Sequence, residues 1–201
     1  MRSIKRIPTF FHEFKGKAIT VVDPTSYRLT VEGAVNNCLE LSLGELEHRM
    51  PVIETRRRFY CVNGWSFEAI WRGFELVSLL ELCGPLCDAP FLRAISIAGY
   101  EDTSGINSLI KGGAMLVTHM DGEPLSPERG FPMRLMTFDR YQFRGVKALA
   151  RIEIVRKYAP GAWVRYGYTD STIQPFPHLA LDTGEELMPD PDVLRATPDE
   201  L

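Results

Sequence analysis

Residues 56–71 read RRRFYCVNGWSFEAIW. Arg56 to Val62 has strand character and runs into Asn63-Gly64, a turn signal. Cys61 therefore sits at a strand end, where a side chain can be presented into a cleft. In strand geometry Arg57, Phe59 and Cys61 share one face, with Arg57 roughly 13 Å from Cys61 along it. Three arginines precede the thiol. Cationic neighbours lower a thiol pKa and favour thiolate, the form that binds a soft metal. The same residues also fit a buried core cysteine beside a solvated strand edge, since free cysteine is among the most buried residue types.

Working outward, the flanking segments read as short strands with few helices. Tyr27 to Val31 and Leu39 to Leu43 alternate as strands do. Ser42 stands three residues before Glu45, the pattern of a capping box for a short helix through His48, which Pro51 ends. Phe74 to Leu82 has the apolar spacing of a helix, with Gly84-Pro85 as its stop. Leu92 to Ala98, Ala114 to His119, Arg134 to Phe138 and Ile152 to Arg156 read as strands, and Ile106 to Ile110 as a helical turn. The sum is a mixed, β-rich α+β domain over residues 1–168, opened by an extended arm at residues 1–24. Residues 169–201 form an acidic, proline-containing tail that wraps or frays, because such composition buries little apolar surface.

A second basic segment lies at Arg134 to Lys147, RLMTFDRYQFRGVK. Arginine and lysine beside Gly145 suit a phosphate: glycine lets backbone N–H groups approach, and guanidinium binds oxygens in pairs. A basic surface turn fits the same residues. Cys83 and Cys87 bracket Gly-Pro without a second ligand pair, so a zinc site there is weakly supported. His119 closes a strand before Asp121-Gly122, which allows an acid/base role or a plain structural one.

Bulk properties remove several classes. The chain has 201 residues, a net charge of −3 and four cysteines. That length suits one domain plus a tail. The acidic balance argues against a general nucleic-acid binder, and four cysteines are too few for a disulfide scaffold. No apolar run approaches the roughly 20 residues of a membrane span, and no apolar leader follows Met1 to Lys5. The expectation is a cytoplasmic chain with free thiols.

Three segments then fall in line. CVNGWS followed by W-x-G-F-x-L-x-x-L-L (Cys61 to Leu80), DGEPLSPERGFPMRL (Asp121 to Leu135) and RGVKAL (Arg144 to Leu149) resemble the molybdopterin-dependent oxidoreductases of the sulfite oxidase family. Within that family the resemblance is greatest to the catalytic subunit of the bacterial methionine-sulfoxide reductase system. It covers roughly Pro8 to Tyr168 and implies the sulfite-oxidase molybdopterin-binding fold with a molybdenum–molybdopterin cofactor. It implies Cys61 as the protein ligand to the metal. By the same resemblance Arg144 and Lys147, with Gly145 and Val146 between, clamp the cofactor phosphate. Arg134, Arg129 and Ser96 match cofactor contacts, and in FFHEF (Phe10 to Phe14) so do His12 and Glu13, with Thr9 in place of an asparagine. Arg129 stands where relatives have Asn or His, and Ser96 where Thr is usual.

Other departures shape the expected activity. The active-site tyrosine of sulfite oxidases is matched by Thr118, as in the sulfoxide reductase branch, which also lacks it. FDRY (Phe138 to Tyr141) replaces the usual run before the clamp. The resemblance therefore implies two-electron oxygen-atom transfer on a small S- or N-oxide, with Thr118, His119 and Arg57 as candidates beside Cys61 near substrate. Sulfite oxidation and a non-catalytic molybdopterin-binding partner protein are the alternatives. Without haem or dimerisation domains, the expectation is a monomer that exchanges electrons with a separate protein.

Overall fold

The structure is a computed structural model that describes residues 22–168 and 178–188. Thr9, His12 and Glu13, and all of the N-terminal arm before Val22, lie outside the described residues. Along the chain come β1 (Leu29–Gly33), β2 (Leu39–Leu41), α1 (Leu43–Arg49), β3 (Ile53–Cys61) and β4 (Trp65–Glu75). Then follow α2 (Leu76–Cys83), β5 (Phe91–Ser96), β6 (Glu101–Gly105), α3 (Ile106–Lys111), β7 (Met115–Met120) and β8 (Glu123–Pro124). The last are β9 (Arg134–Met136), β10 (Leu149–Val155), α4 (Ala162–Arg165), β11 (His178–Ala180) and β12 (Glu186–Leu187). The β-rich α+β expectation holds.

These strands form two sheets. One has the order β2-β1-β10-β5-β6; the other runs β12-β11-β4-β7-β8, with β3 paired to β4 and β9 to β7. Local signals explain several boundaries. Ser42 Oγ accepts from the Glu45 N–H while the Glu45 carboxylate accepts from the Ser42 N–H, so α1 begins where its capping box does. Gly84 adopts the left-handed conformation that ends α2. Asp121 and Gly122 both have positive φ, as a tight hairpin between β7 and β8 requires.

Two apolar clusters share the strand pair β7–β9. Leu116 and Leu135 face the larger cluster, with α2, β1, β5 and β10. Met115, Val117 and Met136 face the second, which is built on Phe59, Phe67 and Trp71. Period-two alternation sends successive side chains of β7 and β9 to opposite cores, so both strands are apolar almost throughout. The second cluster lies against Cys61.

Two expectations shift. Phe74 belongs to the end of β4 rather than to α2, and a strand occupies all of Trp65–Glu75. The acidic tail contributes β11, which runs parallel to β4.

Candidate active site

Cys61 closes β3 and is 7% exposed. Three residues turn the chain into β4, with Cys61 opposite Trp65 and the Gly64 N–H donating to the Cys61 carbonyl. Gly64 has a φ of 82°, which a side chain would resist. Phe59 packs against both Trp65 (centroids 5.6 Å apart) and Phe67 (5.0 Å), which are 6.1 Å from each other, giving the cysteine an aromatic floor.

The arginine run does not act on the thiol as expected. Arg56 pairs with Glu68, and Arg58 pairs through both nitrogens with Asp182 at 2.9 and 3.0 Å. Arg57 does share the face of Phe59 and Cys61, but its guanidinium lies over the Phe138 ring at 5.9 Å. Burial therefore dominates and pushes the Cys61 thiol up, against smaller downward pulls from the Asn63 N–H and the Lys147 ammonium.

Arg134 is the most demanding group nearby. It begins β9, is 3% exposed, and lies 5.5 Å from the Phe59 ring centroid. Its Nη1 donates to the Arg129 carbonyl at 3.1 Å. Among the described residues, Nε and Nη2 have no hydrogen-bond partner. Burial, and then the Arg129 charge, push its pKa down to about 10. A buried cation with two idle donors is costly unless an anion meets it. Arg129 is half-buried, its Nη1 is 3.0 Å from Met120 Sδ, and burial lowers its pKa.

The loop after β9 carries the remaining predicted clamp. Lys147 donates through Nζ to the Glu128 carbonyl. A Cβ on Gly145 would stand 2.6 Å from the Leu135 oxygen and 2.7 Å from Gln142 Oε1, so only glycine fits. Val146 is fully buried, and its carbonyl accepts from the Leu135 N–H. Arg144 points elsewhere: it pairs with Asp102 at 3.1 Å and donates to the Thr103 carbonyl and Ser104 Oγ. Ser96 accepts through Oγ from the Tyr100 N–H, closing the turn after β5.

Thr118 and His119 lie on β7 between Val117, which pairs with Arg134, and Met120, whose sulfur meets Arg129. His119 is opposite Arg72 on β4, and Thr118 Oγ lies 2.9 Å from His119 Nδ1 and 3.4 Å from the Arg72 carbonyl. Seven residues, roughly 23 Å of strand, separate Arg72 from Trp65 along β4. The structure thus links Cys61 to Lys147 and, through Phe59, to Arg134, which Arg129 and the Gly145–Val146 loop adjoin. Arg57 lies over Phe138, and Thr118 and His119 neighbour the two arginines on β7, at the end of β4 away from Trp65.

Residues that sequence reading passed over complete the surroundings of Cys61. Tyr60 and Tyr141 both flank the buried His178 ring, each with centroids 5.4 Å away. Tyr141 is pushed up first by burial and then by Cys61. Thr137 Oγ1 and Gln142 Oε1 are buried without partners among the described residues. Only FDRY hinted at Tyr141; nothing in the sequence pointed to His178.

Comparison with known proteins gives these groups a context. Residues 16–163 match the family described as the oxidoreductase molybdopterin binding domain. The uncharacterized oxidoreductase YuiH of Bacillus subtilis (strain 168) is 29% identical over 73% of this chain and 74% of its own length. The putative protein-methionine-sulfoxide reductase subunit YedZ1 of Azospira oryzae is also 29% identical, over 73% of this chain and 56% of its own. The chain therefore spans little more than half of that relative. Among solved structures, the sulfane dehydrogenase SoxCD from Paracoccus pantotrophus aligns with TM-score 0.63 at 21% identity, covering 69% of this chain and 40% of that one. That likeness extends to the fold.

The residues present fit such a cofactor. Idle buried donors on Arg134, a glycine-bound loop at Gly145, and a cysteine at a rigid turn are what an anionic, metal-carrying pterin needs. The chain belongs to the molybdopterin-binding oxidoreductases with the sulfite-oxidase fold, and is a molybdopterin-dependent oxidoreductase whose cofactor carries molybdenum.

Proposed function

We propose that this enzyme transfers an oxygen atom from a small S- or N-oxide, in the manner of a sulfoxide reductase. The observation that carries the site is Arg134, a buried guanidinium two strands away from the Cys61 hairpin, with two donors unmet among the described residues. When bound, the cofactor supplies the two-electron redox chemistry of molybdenum. Cys61 is the protein ligand, and the nearby Lys147 favours its thiolate. Arg134, Arg129 and Lys147 hold the anionic parts of the cofactor, with Gly145 and Val146 supplying close backbone. Thr9, His12, Glu13 and Ser96 are further contacts. Arg144 braces the loop from behind through Asp102 rather than reaching the phosphate itself.

Phe59, Trp65, Phe67 and Trp71 form an aromatic wall that keeps water from one side of the thiol. Arg57, whose guanidinium lies over Phe138 on the same strand face, is the candidate cation for an anionic substrate. The relative named as a sulfoxide reductase subunit supports this direction, and so does Thr118, a hydroxyl where sulfite oxidases carry a phenol. Engagement of Arg56 and Arg58 by Glu68 and Asp182 weakens the sulfite reading, which leaned on a free cationic cluster. Electrons come from a separate protein, consistent with a relative named as a subunit.

The test starts with molybdenum and pterin analysis of the wild type and of Cys61→Ser, produced in a host that makes the cofactor. Loaded wild type is then offered methionine sulfoxide with reduced benzyl viologen, or sulfite with ferricyanide. Viologen oxidation by the sulfoxide, lost in Cys61→Ser, is the expected result. Ferricyanide reduction by sulfite without sulfoxide turnover would replace this reading by sulfite oxidation. Bound molybdenum that neither assay can cycle would point to the non-catalytic partner instead.

A further inference from the structure

The family match ends at residue 163, yet residues 178–182 return to the hairpin that carries Cys61. Leu179 lies opposite Trp65 and Ala180 opposite Ser66. The Leu179 N–H donates to the Gly64 carbonyl at 2.9 Å, and the Leu181 N–H to the Ser66 carbonyl at 2.8 Å. Asp182 closes the attachment with its two bonds to Arg58 on β3. His178, 3% exposed, is wedged against Tyr60 and Tyr141. Tyr60 directly precedes Cys61, and its carbonyl accepts from the Gln142 N–H at 3.0 Å.

Three segments thus converge on the turn that aims the thiol: the hairpin, the loop at Tyr141–Gln142, and the tail. β7 joins β4 only from Trp71 onward, so near the turn β3 and β4 form a two-stranded ribbon apart from β11, and such a ribbon holds its own geometry poorly in water. A third strand laid on it near the turn, with a ring filling the angle between two tyrosines, removes that freedom.

We propose that residues 178–182 are a positioning clamp for the Cys61 hairpin, with His178 a positioning residue that fixes the thiol's direction by packing on Tyr60 and Tyr141. The chemical consequence rests on Cys61 being the metal ligand; the clamp itself does not. A group that orients a ligand without touching the metal commonly matters 10–100-fold in metal affinity or activity.

The experiment reads the full-length chain in two states. In cofactor-free protein, iodoacetamide labelling of each cysteine is followed by peptide mass spectrometry. Asp182→Arg and His178→Ala should raise the Cys61 labelling rate roughly two- to five-fold, the span that loss of one partly exposed ion pair allows. Cys83, buried in the other cluster, is the control and should not change. Pairing Asp182→Arg with Arg58→Asp should restore the wild-type rate even if the single variant folds badly. His178→Phe, which keeps a ring, should stay near wild type. In loaded protein, His178→Ala should alter the molybdenum electron paramagnetic resonance signal where His178→Phe does not. Unchanged Cys61 labelling in Asp182→Arg and His178→Ala would overturn the clamp, as would a charge swap that fails to rescue or a phenylalanine that behaves like alanine. Failure to find molybdenum would sink the cofactor reading while leaving the labelling result standing.

Discussion

At the scale of single residues, Arg134 separates stability from function. Its guanidinium is buried, its pKa is held down at about 10, and two donors lack partners among the described residues. Without an anion that arrangement opposes folding; with one it becomes a strong charge-assisted contact. Arg134→Met should therefore stabilise cofactor-free protein, by roughly 1–4 kcal/mol if replacement of other buried ionic groups is a guide. The same change should lower cofactor content. Thermal melts paired with pterin assay check both signs, and a fall in apo stability would show that Arg134 is already satisfied. His119 provides a pH test. Burial first, then Arg72, lower its pKa below the usual 6.5. The folded state thus binds fewer protons than the unfolded one, and stability rises with pH until 6.5 is passed. Acidification below that value loses the contribution, so His119→Gln should flatten stability between pH 5 and 7 in denaturant titrations. An unchanged slope would mean the ring protonates freely in the fold.

At the scale of elements, the cofactor loop and β9 depend on one close approach. Gly145 leaves no room for a Cβ beside the Leu135 oxygen and Gln142 Oε1. Gly145→Ala must push the loop off β9 and should cost about 1–3 kcal/mol, as overpacking does. Lys147 would move with it, so cofactor retention should fall in parallel; full retention would place the phosphate elsewhere. How far such elements were legible varies with what holds them. The Ser42–Glu45 cap and the Gly84 stop announced α1 and the end of α2, because those signals are local. The start of α2 was misplaced because Glu75 makes no side-chain cap there, and buried Phe74 continues an apolar spacing across the boundary. β6, Glu101–Gly105, shows no apolar alternation at all: Asp102, Thr103 and Ser104 are buried because Arg144 pairs with them. At the site, a motif singled out Cys61 and Lys147, which the fold sets near enough for the ammonium to act on the thiol. No local rule could say that the arginines beside Cys61 would be claimed by Glu68 and Asp182, or that the acidic tail would deliver His178. Those outcomes rest on pairings as distant in sequence as Arg58 and Asp182.

At the scale of the molecule, two sheets must be held in register for the cofactor loop to face Cys61. The loop leaves β9 in one sheet and enters β10 in the other. Arg144 fastens it to Asp102 of β6, and both side chains are only 3% exposed. Arg140 adds a second anchor, donating to Ser108 of α3 and pairing with Asp139. Gly161, before α4, abuts Asp102 so closely that a Cβ would lie 2.1 Å from its carboxylate. Both charges are therefore enclosed, and losing one leaves the other buried without this counter-charge. Asp102→Ala should cost about 3–5 kcal/mol, the usual penalty for breaking a buried pair. For a chain of this size that lowers Tm by roughly 6–20 °C. Asp102→Ala with Arg144→Leu removes both charges and should recover much of the loss, since the cost of keeping one charge buried, not the missing attraction, carries most of the penalty. Calorimetry on the two variants decides the matter. A double variant no more stable than Asp102→Ala would mean that the pair's specific geometry, rather than its charge balance, holds the sheets together.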